Sequence, residues 1–226
     1  VNENIAKVAS LISDSSRAAI LTHLMDGHPH PATELARVAK IKPQTVSFHL
    51  HKLYTMQILE VEKHGRYHYY KLANQEMAEI LGKLLYIVPF KPIQSFKEIK
   101  KHEEIQYART CYDHLAGKLG VGLTNSLLYK QVLQKNGSEF EVTEIGAHFF
   151  EDFGINLDIL RNKRRAFSKC CLDWTERQYH IAGALGNAIL ERMLEQNWIT
   201  RTDGSRAVYI TSLGKQNIFE IFSLEM

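Results

Sequence analysis

Gln44-Thr45-Val46-Ser47-Phe48-His49-Leu50-His51-Lys52-Leu53-Tyr54-Thr55-Met56-Gln57 is the stretch on which the fold of this chain turns. Lys42-Pro43 stands before it, and proline suits the first helical position, where the missing N–H would be unpaired in any case. Val46, Leu50 and Leu53 recur at i, i+4 and i+7, which predicts a helix with one apolar face turned inward. The opposite face presents Gln44, Phe48, His51, Lys52 and Thr55. Upstream, Thr33 and Leu35-Ala36-Arg37-Val38-Ala39 predict a brief third helix, after a His28-Pro29-His30-Pro31 loop that cannot be helical. Asp14 reads as the N-cap of a second helix that carries Ile20, Leu21 and Leu24 and closes at Gly27. Ile5, Val8, Ala9 and Ile12 mark a first.

Downstream, Leu59-Glu60-Val61-Glu62 and Tyr67-His68-Tyr69-Tyr70-Lys71-Leu72 alternate with period two around Lys63-His64-Gly65-Arg66. This predicts a β-hairpin with a basic tip. A short helix, a tight turn, a longer amphipathic helix and a basic hairpin make a winged helix-turn-helix. In that fold the exposed helix face enters the DNA major groove, and the wing meets phosphates or the minor groove. The DNA-contacting residues expected on the helix are Gln44, Thr45, Ser47, Phe48, His51 and Lys52. Those expected on the wing are Lys63, His64, Arg66 and Tyr67. His49 is expected to be packed or bound to a phosphate instead of reading a base. The partner is double-stranded operator DNA.

Between Ile5 and Leu72 the chain resembles the arsenic-repressor (ArsR) family of winged-helix regulators. The resemblance is carried by Ser16-Arg17-Ala18-Ala19-Ile20-Leu21, Thr33-Glu34-Leu35-Ala36, Thr45-Val46-Ser47-Phe48-His49-Leu50-His51-Lys52-Leu53 and Gly65-Arg66-Tyr67-His68-Tyr69-Tyr70. It implies a homodimer paired through the first helix and the helix after the wing. It also implies a repressor whose DNA affinity falls when an effector binds. The family's metal sites lack their ligands here: Glu34 to Ala39 holds no cysteine, and Gln75 to Tyr86 offers only Glu76 and Glu79. His23, His28 and His30 lie in or beside a proline-rich loop and read as solvated. No metal or cofactor is assigned.

Met77, Ile80, Leu81, Leu84 and Leu85 form the apolar face of the helix after the wing. Its expected use is pairing with a second copy. Pro89 and Pro92 end it, and a polar basic linker follows. The organisation expected is a DNA-binding domain over 1–75, a dimerisation helix and linker over 76–98, and a C-terminal sensor domain over 99–226. Residues 1–98 hold 12 Lys+Arg against 9 Asp+Glu, and 99–226 hold 16 against 16. The excess positive charge therefore lies in the DNA-binding part.

The C-terminal part repeats itself. His114-Leu-Ala-Gly-Lys-Leu-Gly120 recurs as His180-Ile-Ala-Gly-Ala-Leu-Gly186, and Val142-Thr-Glu-Ile-Gly146 as Ile210-Thr-Ser-Leu-Gly214. Phe149-Phe-Glu-Asp-Phe153 is echoed by Ile218-Phe-Glu-Ile-Phe222. Two winged-helix-like units are expected, about 105–155 and 171–226, each a long helix, a hairpin and a closing helix. Asp173 with Glu176 reads as a capping box that opens the second long helix. The repeated glycines are expected to let the two long helices cross closely. The fold class is mainly α with small β-hairpins.

Arg109, Cys111, Tyr112 and His114 in the first copy, and Arg165, Cys171, Trp174, Arg177 and His180 in the second, are the candidate effector-binding residues. Guanidiniums and imidazoles of that kind suit an anionic or carbonyl-bearing small molecule. A second reading makes Cys111, Cys170 and Cys171 the sensor, through oxidation or a soft metal or metalloid; Cys111-x-x-His114 has the spacing of one helix face. An enzyme is not expected, since no nucleophile elbow, metalloprotease or phosphate-binding motif is present. The apolar run Ile80 to Pro89 is too short for a membrane span. Three cysteines, two of them adjacent, make a poor disulfide framework, and with no secretory leader a cytoplasmic location is expected.

Overall fold

The computed structural model describes residues 3–65, 67–87, 96–202 and 205–226. The chain forms two compact units, Val1–Leu81 and Gly82–Met226.

The first unit opens with helices α1 (Glu3–Ile12) and α2 (Ser15–His23). Asp14 caps α2, its side chain accepting from the Arg17 N–H at 2.9 Å. A 3₁₀ turn, Leu24–Asp26, ends at Gly27 with φ of 78°. Helices α3 (Ala32–Ala39) and α4 (Pro43–Thr55) follow, then strands β2 (Leu59–His64) and β3 (Tyr67–Leu72). The segment expected as a loop supplies a further strand, β1 (His30–Pro31), which pairs with β3 through His30↔Tyr70 and Pro31↔Tyr69. The sheet order is β1-β3-β2. Proline is tolerated there because β1 is an edge. Ile20, Leu21, Leu24, Leu35, Val46, Leu50, Leu53, Leu59 and Leu72 close the core beneath it. Helix α5 (Gln75–Ile87) leaves the wing and runs into the second unit. The expected stops at Pro89 and Pro92 lie outside the described residues.

The second unit begins with α6 (Phe96–Tyr107) and then repeats one order of elements. The first copy is β4 (Arg109–Cys111), β5 (His114–Ala116), α7 (Gly117–Tyr129), β6 (Leu133–Asn136), β7 (Glu139–Val142) and α8 (Glu144–Asp152). After α9 (Leu157–Arg161), the second is β8 (Lys169–Leu172), β9 (Tyr179–Ala182), α10 (Gly183–Glu195), β10 (Ile199–Arg201), β11 (Val208–Ile210) and α11 (Ser212–Phe222). Helix α7 packs on β9 and α10 packs on β5, so each copy covers the other's first hairpin.

Three expectations are corrected here. Each repeat opens with a hairpin, not with its long helix, and Asp173 caps no helix. It sits in the β8–β9 connection, where Oδ1 accepts from the backbone N–H groups of Thr175 and Glu176 at 2.9 Å and 3.0 Å. The repeated glycines serve the passage from strand to helix, not a crossing of helices. Gly117 and Gly183 start α7 and α10 with φ of 72° and 81°, and a Cβ there would meet backbone carbonyls of Gln106 and Ala166 at 2.6 Å and 2.8 Å. In the second repeated block, Thr143 and Thr211 cap α8 and α11, each hydroxyl accepting from the N–H of Gly146 or Gly214.

Candidate DNA interface and a buried thiol–imidazole centre

Helix α4 is divided cleanly by burial. Val46, Leu50 and Leu53 are buried, whereas Gln44, Thr45, Ser47, Phe48, His51 and Lys52 are exposed. Phe48 leaves 56% of its surface in solvent, with the Lys52 ammonium 4.5 Å from its ring centroid. Ser47 and His51 share a groove of about 360 Å³ with Lys63, His68 and Tyr70, so helix and wing face a common cleft. Lys63 and Tyr67 project from the wing into solvent. Arg66 and the His64 side chain lie outside the described residues.

His49 is turned inward. Its Nδ1 is 3.1 Å from Nη1 of Arg17, whose Nε and Nη2 donate to the carbonyls of Leu11 and Ser10 at 2.6 Å and 2.8 Å. This buried guanidinium ties α1 to α4 and orients the reading face. The histidines near β1 form another network. His30 Nε2 is 2.7 Å from Asp26 and its Nδ1 is 3.2 Å from Glu34, which also meets His23 at 3.1 Å.

In the second unit the structure brings together residues far apart in sequence. Cys111 and His114 are opposite each other across β4–β5, and Cys171 and His180 across β8–β9. The Cys111–His114 spacing is therefore that of a hairpin, not of a helix face. The two hairpins meet with the sulfurs 4.0 Å apart and the two Nε2 atoms 3.1 Å apart. All four ligand-type atoms lie within 4.8 Å of one another. Behind each imidazole stands a carboxylate: Asp113 lies 3.5 Å from His114 Nδ1, and Asp173 lies 3.4 Å from His180 Nδ1. Each carboxylate is held by an arginine, Asp113 by both terminal nitrogens of Arg165 and Asp173 by Arg109 at 2.7 Å.

The electrostatics follow from that packing. The Cys171 thiol, with help from the two imidazoles, holds the Cys111 thiol well below its ordinary range against the opposing effect of burial. Burial disfavours charge on His114, but Cys111 and Asp113 prevail and push it up to about 9. Burial and the neighbouring His114 push His180 down. Burial works against the Asp173 carboxylate too, yet Arg109 and His180 hold it well below the usual carboxylate range.

Of the candidate effector residues, Cys111, His114, Cys171 and His180 form this centre, while Arg109 and Arg165 support it from behind. Trp174 lies under Arg109, whose guanidinium carbon is 4.8 Å from the ring centroid. Tyr112 occupies the two-residue β4–β5 turn with φ of 58°. Arg177 is exposed in the β8–β9 turn and belongs to no part of the centre. Cys170 points to the other face of β8 and packs against the hydrophobic core. Asp113 and Asp173 belong to the same polar clusters in the sequence but are not among the candidate effector-binding residues. Their signal is position: each follows a Cys within two residues and precedes a repeated His.

A helix-turn-helix domain family matches residues 12–62. The chain is 55% identical over 215 residues to an HTH-type transcriptional regulator of Bacillus subtilis, YdfF, covering 95% of both sequences. Two solved structures match part of the chain. One is the homodimeric winged helix-turn-helix DNA-binding domain Mb0332 of Mycobacterium bovis, at 18% identity, with 46% of this chain and 84% of that one covered and a TM-score of 0.35. The other is NolR of Sinorhizobium fredii, at 25% identity, covering 38% and 84%, also with a TM-score of 0.35. Among the described residues no helix is long and apolar enough to cross a membrane. With near-complete coverage at that level of identity to YdfF, and a helix-turn-helix domain over residues 12–62, the chain belongs to the family of HTH-type transcriptional regulators.

Proposed function

We propose that the chain is a homodimeric repressor that grips operator DNA with the outer face of α4 and with the wing. Its C-terminal unit sets that grip. The observation that carries the reading is the exposed row Gln44, Phe48 and Lys52 on a helix whose other face is sealed in the core. Gln44 and Lys52 match acceptor and donor patterns of major-groove base edges, and Phe48 matches a thymine methyl. Thr45, Ser47 and His51 flank them within reach of the backbone. Lys63 and Tyr67, with the neighbouring His64 and Arg66, serve phosphates along the wing. The role is binding, not catalysis.

One winged helix makes few base contacts, and two half-sites a helical turn apart supply the rest. Ile5 and Val8 on α1, and Ile80, Leu84 and Ile87 on α5, are apolar and exposed, which favours pairing of two copies along those helices. Sedimentation velocity tests the pairing. The wild-type chain should run as a dimer at micromolar concentration, and Ile80→Asp combined with Leu84→Asp as a monomer with operator binding lost. A monomeric wild type, or a double mutant that still dimerises and binds, would overturn it.

For the signal, an anionic effector held by Arg109 and Arg165 is disfavoured by their partners. Both guanidiniums already hold carboxylates of this chain, and Arg109 is fully buried. The proximity of Cys111 and Cys171 favours the cysteine-centred reading.

A further inference from the structure

Two thiols and two imidazoles converge at the buried junction of the two repeats. A zinc tetrahedron with Zn–S of about 2.3 Å and Zn–N of about 2.0–2.1 Å has an S···S edge of about 3.8 Å and an N···N edge of about 3.3 Å. The corresponding separations here are 4.0 Å and 3.1 Å. We propose that Cys111, His114, Cys171 and His180 bind one divalent ion of the zinc class, which joins the two halves of the C-terminal unit.

The supporting shell carries the argument beyond proximity. Asp113 and Asp173 lie 3.5 Å and 3.4 Å from the Nδ1 atoms of His114 and His180, and both Nε2 atoms face the centre, the orientation in which each ring could give its Nε2 to an ion. Without an ion one Nε2 donates to the other at 3.1 Å; an ion between them would send that proton to solvent and take both lone pairs. A carboxylate behind each ligating imidazole is the recurrent outer shell of zinc sites, and here each carboxylate is itself fixed by an arginine. A disulfide between Cys111 and Cys171 would use the sulfurs and leave the imidazole pair unexplained.

The donor set names the ion class. Thiolate with imidazole selects zinc and its neighbours over magnesium or calcium, which want oxygen. Four protein ligands leave no open position, so the ion is structural, and binding sends the thiol protons to solvent. Because each repeat contributes one Cys and one His, the ion clamps two hairpins that are remote in the chain. The site stands independently of the repressor reading, since neither its ligands nor its test involves DNA.

The test uses the full-length chain, reduced and stripped with a chelator, then titrated with Co(II) and afterwards Zn(II). One cobalt per chain should bind, giving intense tetrahedral visible bands and thiolate-to-cobalt charge transfer in the near ultraviolet. Zinc should bleach both and raise the thermal midpoint. Cys111→Ser should roughly halve the charge-transfer intensity and weaken zinc binding by more than the roughly 100-fold typical of outer-shell changes. Cys170→Ser should leave spectrum and affinity unchanged. The proposal is overturned if the reduced wild type takes up no stoichiometric cobalt, if the spectrum is weak and octahedral, or if Cys170→Ser loses as much as Cys111→Ser. These readouts on the wild type decide the matter even where a ligand variant fails to fold.

Discussion

His30 shows how a single residue acts at the base of the wing. Both ring nitrogens face carboxylates, Asp26 at 2.7 Å and Glu34 at 3.2 Å. Burial disfavours its charge, yet the two carboxylates outweigh burial and raise the pKa above the ordinary 6.5. A group whose folded pKa is raised contributes its full stability below the unfolded value, and loses it as pH rises through the folded pKa. His23 is shifted the other way, by burial and by the proximity of His30, and so favours the fold only when neutral. The destabilisation caused by His30→Gln should therefore be larger at pH 6 than at pH 9 when thermal midpoints are compared with those of the wild type. Equal differences at the two pH values would contradict the ion-paired account. That His23 and His30 sit in such a network was not legible in the sequence, where a proline-rich surface loop suggests solvated side chains. Pairing of β1 with β3 is a long-range event that two residues of strand cannot announce.

Elements differ in how much they announce themselves. Helix α4 runs thirteen residues with one apolar face, α2 is opened by a capping aspartate, and the wing strands run six residues each, so all were readable from periodicity and capping. The repeat in the second unit was legible as repetition but not as structure. Strands β4 and β5 have three residues each, too few for a period-two signal, and β5 runs directly into α7, which is rich in Leu and Gly. Asp173 misleads for a physical reason. Its carboxylate takes the N–H groups two and three residues on, which is the local bonding of a helix N-cap and of an Asx turn alike. The four residues of the centre were named from the sequence, but on the wrong scaffold: on helices Cys111 and His114 would share a face, whereas on a hairpin they form a cross-strand pair. Gly183→Ala tests the strand-to-helix passage. The residue has φ of 81°, and a Cβ would come within 3.0 Å or less of the Ala166 and Phe167 carbonyl oxygens, which are backbone and cannot swing aside. Chemical denaturation should show a loss of at least about 2 kcal/mol, from backbone strain and steric contact together. A change within about 0.5 kcal/mol, the range of neutral surface substitutions, would refute this use of the glycine.

At the scale of the whole molecule the chain joins a DNA-binding unit to a duplicated unit centred on two cysteines and two histidines. The central claim is that α4 reads DNA. The most direct test is a fluorescence-anisotropy titration on a duplex selected from a random pool by the full-length chain, with a scrambled duplex as control. Wild type should bind the selected duplex roughly 1,000-fold or more tightly than the scrambled one at physiological salt. Each base-reading contact is worth about 1–3 kcal/mol, so Phe48→Ala with Lys52→Ala should cost roughly 30-fold or more on the selected duplex, while its circular dichroism stays that of the wild type. The scrambled duplex should lose far less, since its binding is mainly to phosphates. If the selection enriches no sequence, or if the folded double variant keeps wild-type affinity and preference, α4 is not the reading helix and the account fails.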